Sequence, residues 1–178
     1  MTGQALPERN VVLFYREGED FGGFSNFSKH PFTVQASSGR EFHAATSEHF
    51  FQAMKFWTRD PEFAETILAT RSAKEAAELG RDRKHPLRGD WEQIKDDVMR
   101  LAVATKIGQH ADLASQLLGT SESKLVENAP HDSYWGNGHE LGGKGKNRLG
   151  EILEEVRAEL RKGCLDEYAA RAAERIGI

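Results

Sequence analysis

Three polar side chains in the stretch ATSEHFFQAMKF are spaced so that they could do chemistry together. With a helix starting near Ser47, Glu48, Gln52 and Lys55 fall at i, i+4 and i+7 along one stripe. Phe50, Met54 and Phe56 point elsewhere, and Phe51 borders the stripe. Such a stripe reads either as an exposed ion ladder or as the polar edge of an aromatic-walled pocket. A second stretch, ENAPHDSYWGNGHELGGKGKNRLG, sets Asp132 beside Tyr134 and Trp135. It then runs through a Gly- and Lys-rich loop, with Lys144, Gly145 and Lys146, into a helix near Asn147. Glycines let backbone N–H groups approach an anion, and a helix start offers unpaired donors, so this loop is a candidate phosphate cradle. It is not a Walker A loop, because the spacing differs and no Ser or Thr follows the lysine.

A third stretch, GRDRKHPLR, is basic, and Arg81 and Arg83 in it suit a small anion. Together the candidates are carboxylates (Glu48, Asp132), aromatics (Phe24, Trp91, Trp135) and anion binders (Arg81, Arg83, Lys146). That set suits cleavage of a bond from a sugar to a nitrogen base. A carboxylate stabilises the cation-like sugar, a second handles water, aromatics stack on the base, and cations hold phosphate. The residue types alone leave phosphate-ester hydrolysis open. Spacings of the seven histidines match no metal motif, neither HExxH nor a paired carboxylate–His helix. No GxSxG elbow is present, and Cys164 lies in a charged segment without an evident base.

These residues need elements to position them. The 178 residues suit one domain, 38% hydrophobic and 29% charged, with a formal net charge of −4. The acidic balance disfavours a general electrostatic grip on nucleic acid. A lone cysteine excludes an internal disulfide and suits a reducing compartment, so the expected location is cytoplasmic; no secretory signal or membrane span is read. VVLFY and PFTVQ read as strands, the second ending at the SSGR turn, with GEDFGGFSNFSKH as a loop between them. Asp60 with Pro61, Ser72 with Glu75, and Asp90 read as helix starts, and Gly80 as a stop. Trp91, Ile94, Val98 and Leu101 or Ala102 mark one face of the longest helix. HADLASQLLGT, NRLGEILEEVRAELRKG and the tail from Leu165 read as further helices. The expected fold class is α+β: a small N-terminal sheet in a single compact domain, surrounded by mostly C-terminal helices. Residues 1–10 read as a tail, 11–162 as the domain and 163–178 as a helical extension.

FSNF (24–27), TSEHFFQAMKF (46–56), GRDRKHPLRGDWE (80–92), KLVENAPHDSYWG (124–136) and GKGKNRLG (143–150) occur in the order seen in the NADAR family. The chain most closely resembles its YbiA-like branch of riboflavin-intermediate N-glycosidases, over about Val11 to Leu160. The resemblance implies the NADAR α+β fold and hydrolysis of phosphorylated ribosylaminopyrimidines to ribose 5-phosphate and the free base. Other members remove ADP-ribose from guanine in nucleic acid, and a non-catalytic module binding ADP-ribose or NAD is the third reading. It implies no metal or other cofactor and a small-molecule partner, a phosphorylated N-riboside or ADP-ribosyl compound. Nucleic acid enters only as a modified substrate, and no membrane is involved. Carried over by motif, Glu48 becomes the leading catalytic residue and Asp132 the second carboxylate. Lys55 keeps Glu48 ionised or attacks the sugar as an imine-forming amine, a role for which Lys146 competes. Phe24 and Asn26 close over the ligand, Trp91 and Trp135 stack on the base, and Arg81, Arg83, Gly145, Lys146 and Asn147 bind the phosphate side.

Overall fold

The computed structural model describes residues 10–178. β1 (Val11–Phe14) pairs in parallel with β4 (Lys124–Glu127), Phe14 opposite Glu127. β2 (Phe32–Gln35) and β3 (Glu41–Ala44) form a separate antiparallel ribbon, joined by a turn in which Gly39 takes φ +83°. The helices are α1 (Ser47–Met54), α2 (Pro61–Leu68), α3 (Ala73–Leu79), α4 (Trp91–Gln109), α5 (Ala111–Gly119), α6 (Arg148–Lys162) and α7 (Leu165–Ile176). The class is α+β, one compact domain with its small strands wrapped by helices. The expected N-terminal sheet is in fact two ribbons, and one of them takes its second strand from beyond α5. β3 and β4 were not anticipated. Each carries two titratable residues in four (EFHA, KLVE), unlike VVLF and FTVQ, which weakens the strand signal.

Local rules account for the helix starts. Thr46, Asp60 and Ser72 accept the backbone N–H of His49, Phe63 and Glu75, as N-caps do. The Ser72–Glu75 capping box is shifted by one residue, because the Glu75 carboxylate accepts from the N–H of Arg71. Asp90 precedes α4 without capping it, its carboxylate being held instead by Arg88 at 2.7 and 3.0 Å.

α4 is the hub, packing against α1, α5, α6, α7 and β2. Its buried face carries Trp91, Ile94, Val98, Leu101 and Ala102, the stripe read from sequence. The tail does not dangle. Leu165, Ala172 and Ile176 bury α7 against α4, and the buried Arg88 donates to the carbonyl of Ile176 at 3.0 Å. Of the expected N-terminal tail only Asn10 lies within the described residues, where its carbonyl accepts the N–H of Lys124. No helix among the described residues is long and apolar enough to cross a membrane.

Candidate active site

α1 positions the first carboxylate. All eight of its residues are buried, so the stripe is no exposed ladder. Phe50, Met54 and Phe56 enter the core, while Gln52 Nε2 donates to Glu48 Oε1 at 2.7 Å. The N–H of Glu48 donates to the carbonyl of Asn26, which ties the FSNF loop to the helix start. Burial raises the Glu48 carboxyl above its ordinary range. The Gln52 hydrogen bond, Lys55 and Arg81 pull it back, and Asp132 adds to the rise.

Two helical turns on, Lys55 Nζ donates to the carbonyl of Gly80 at 3.2 Å and lies 5.6 and 5.7 Å from the ring centres of Phe51 and Trp91. Burial lowers its pKa to about 8, with Glu48 opposing and Arg83 and Arg81 assisting. Phe51 meets Trp91 and Trp135 edge-on at 4.9 and 5.3 Å, forming a three-ring wall beside the stripe. Trp91 is 8% exposed and so serves core and wall at once; Trp135 is half-buried. Arg81 and Arg83 are exposed and make no ion pair among the described residues. Asp82 between them instead accepts the N–H of Lys84. Arg83 Nη1 donates to the carbonyls of Gly80 and Asp82 at 3.3 and 3.2 Å, so both arginines put charge at the Lys55 end of the stripe, but Arg83 is held by backbone.

Asp132 lines a cavity of about 450 Å³ with Tyr15, Arg16, Ser25, Phe27 and Glu127. Its Oδ1 accepts the N–H groups of Tyr134 and Trp135 at 2.9 and 2.8 Å, an Asx turn that aims Trp135 at Phe51. The glycine-rich loop is where expectation and structure part. The N–H groups of Gly145, Lys146, Asn147, Arg148 and Leu149 all donate to carbonyls of residues 133–137. They are spent on clasping the Asp132–Trp135 loop, so the expected open phosphate cradle is not formed. Gly145 is required by that clasp, since a Cβ there would lie 2.3 Å from the carbonyl oxygen of Gly136. Asn147 takes φ +55°, accepts the N–H of Glu127 and donates to the carbonyl of Leu125, anchoring β4 to α6. Lys146 Nζ sits 5.0 Å from the Tyr134 ring centre. Phe24 is fully buried against Phe14 and Phe21 and anchors its loop from the core side. Asn26 is buried with Oδ1 unpartnered.

Two ionisable residues of the site escaped the sequence reading. Glu127 ends β4, lines the cavity with Asp132, and is buried with Oε2 lacking any hydrogen-bond partner. Burial, then Asp132 and Glu48, raise it to about 8, while Lys106 pulls the other way. Lys106, on α4, is completely buried and donates to Gly23 O at 2.9 Å, Ser25 O at 3.0 Å and Ser28 Oγ at 3.3 Å. Burial lowers it to about 7 against the pull of Glu127. Ser28 already directs its hydroxyl at the same two carbonyls, so three acceptors face Nζ and the ammonium is the form that fits them. One signal was available: Lys106 falls four residues after Ala102 on the apolar stripe of α4, where a lysine is out of place.

The NADAR domain profile matches residues 13–161. N-glycosidase YbiA of Escherichia coli (strain K12) is 44% identical over 157 residues, covering 88% of this chain and 92% of that protein. The chloroplastic riboflavin biosynthesis protein PYRR of Zea mays is 39% identical over 161 residues, 86% of this chain and 26% of that one. The NMR structure of E. coli YbiA superposes with a TM-score of 0.75 at 43% identity, covering 92% of each chain. A buried carboxylate on α1, a second in a clasped Asp–Trp loop, and matches spanning nearly the whole chain lead to one assignment: this protein belongs to the NADAR family.

Proposed function

We propose that this N-glycosidase of the NADAR family cleaves the bond between a phosphorylated ribose and an aminopyrimidine of early riboflavin biosynthesis, releasing ribose 5-phosphate and the free base. The observation that carries the reading is the juxtaposition of Glu48, coupled to Asp132, with the Phe51–Trp91–Trp135 wall. Relatives named as N-glycosidases and as a riboflavin biosynthesis protein support the substrate class. Glu48, oriented by Gln52, faces the cation-like sugar as its bond to nitrogen lengthens. Asp132 takes the proton of the water that adds to C1′. Trp135, with Trp91 behind Phe51, holds the base, and Arg81 and Arg83 hold the phosphate. Lys55 keeps Glu48 ionised, and the lone Cys164 fits a reducing, cytoplasmic setting.

The test is a product assay by mass spectrometry, with the phosphoribosylaminopyrimidine and an ADP-ribosylated guanine oligonucleotide side by side. Ribose 5-phosphate from the first alone is expected. ADP-ribose from the second alone would transfer the reading to modified nucleic acid, and tight binding of ADP-ribose with no product would make this a binding module. Glu48→Gln, which removes a charge and keeps the shape, is expected to fold and to lose about 10²- to 10⁴-fold in kcat. A wild-type rate in that variant would refute the assignment of Glu48.

A further inference from the structure

We propose that Glu127 is the proton donor to the departing nitrogen, a third carboxyl group that the proposed glycosidase reaction uses beside Glu48 and Asp132. The proposal rests on that N-glycosidase reading. Its ground is how the fold distributes hydrogen-bond donors among three neighbouring carboxyl groups. Gln52 donates to Glu48, and the N–H groups of Tyr134 and Trp135 donate to Asp132. To Glu127 Oε2 nothing donates, although it is buried. The buried cation whose charge acts on it is no exception: every N–H that Lys106 offers goes to Gly23, Ser25 and Ser28. Lys106 thus supplies a field without a hydrogen bond. A buried carboxyl left without donors, with two other carboxyl groups nearby, is built for its neutral form. Glu127 lines the cavity together with Asp132, which brings its carboxyl to the edge of the space that a ligand would fill.

The chemistry requires such a group. When the C1′–N bond breaks, the bonding pair stays on nitrogen, and a base leaving as an anion is a poor leaving group. The Glu127 carboxyl proton passes to that nitrogen, and Glu127 becomes a carboxylate. Water adds its oxygen to C1′ and its proton to Asp132. Return of that proton to Glu127 through the cavity closes the cycle, and the net change is the addition of one water. The charged and titratable groups facing Glu127 are Glu48 on α1, Lys106 on α4, and Asp132, with Arg16, Glu17 and His131 around the cavity. Burial and the two carboxylates keep Glu127 protonated at neutral pH, its pKa being raised to about 8.

The experiment compares two leaving groups in the full chain: the phosphoribosylaminopyrimidine, and 4-nitrophenyl β-D-ribofuranoside 5-phosphate, whose nitrophenolate departs unprotonated. Glu127→Gln is expected to lose about 10²- to 10⁴-fold on the first and under about tenfold on the second, whereas Glu48→Gln loses on both. Glu127→Asp keeps an acid and is expected to recover part of the lost rate on the aminopyrimidine, which also decides the matter if Gln does not fold. Equal losses on both substrates, or an unchanged rate on the aminopyrimidine, would overturn the role of Glu127 while leaving the glycosidase reading intact. A wild-type protein inert on both substrates would overturn the reading itself, and the proposal with it.

Discussion

Lys106→Met separates the support of the site from its chemistry. Methionine keeps the unbranched stem in the core and removes only the ammonium. Gly23 O and Ser25 O, at 2.9 and 3.0 Å from Nζ, are then left to share the single hydroxyl proton of Ser28. Losing hydrogen bonds from a buried charge costs about 1.5–3 kcal/mol each. Relief of the ammonium's own desolvation returns part of this, so a net destabilisation of about 2–4 kcal/mol is expected. At about 2–4 °C per kcal/mol for a domain of this size, Tm falls by about 5–15 °C. The freed loop also carries Asn26, whose carbonyl holds the N–H of Glu48, so kcat should fall even where the variant is fully folded. Calorimetry and steady-state kinetics on the same preparation give both numbers. A Tm within about 2 °C of wild type, with kcat unchanged, would refute the claim that Lys106 straps the FSNF loop beneath the site.

The pH dependence of stability has a definite sign. The Glu127 carboxyl rises from 4.5 to about 8 on folding, so its contribution is present in acid and lost as pH climbs through that window, and Glu48 shifts in the same direction. The urea midpoint of the wild type relative to Glu127→Gln should therefore fall between about pH 5 and pH 8, a comparison in which the opposing contribution of Lys106 largely cancels; a flat difference would contradict the buried, donor-poor Glu127. Asn147→Ala breaks two buried hydrogen bonds between α6 and β4 and places alanine at φ +55°, for an expected loss of about 2–4 kcal/mol by denaturant titration. Arg81→Ala with Arg83→Ala should raise KM for phosphorylated substrate about 10- to 100-fold while leaving KM for the dephosphorylated riboside nearly unchanged. Equal KM shifts for the two would remove the phosphate role of these arginines.

The sequence by itself determined what is local. Caps at Thr46, Asp60 and Ser72, the apolar face of α4, and the Glu48–Gln52–Lys55 stripe all follow from periodicity and spacing within one helix, where neighbours in space are neighbours in sequence. What tertiary structure decided is everything that depends on where hydrogen-bond donors end up. β1 and β4 pair across more than a hundred residues, which no local pattern encodes. That pairing puts Glu127 at the edge of the cavity. The glycine-rich loop has the composition of an anion cradle, yet its N–H groups meet the carbonyls of residues 133–137 first and form a clasp. Lys106 looks like one lysine among many until the FSNF loop folds over it and takes all its donors. A side chain's chemistry is set by its partners and its distance from water, and for Glu127 and Lys106 only the folded chain supplies both.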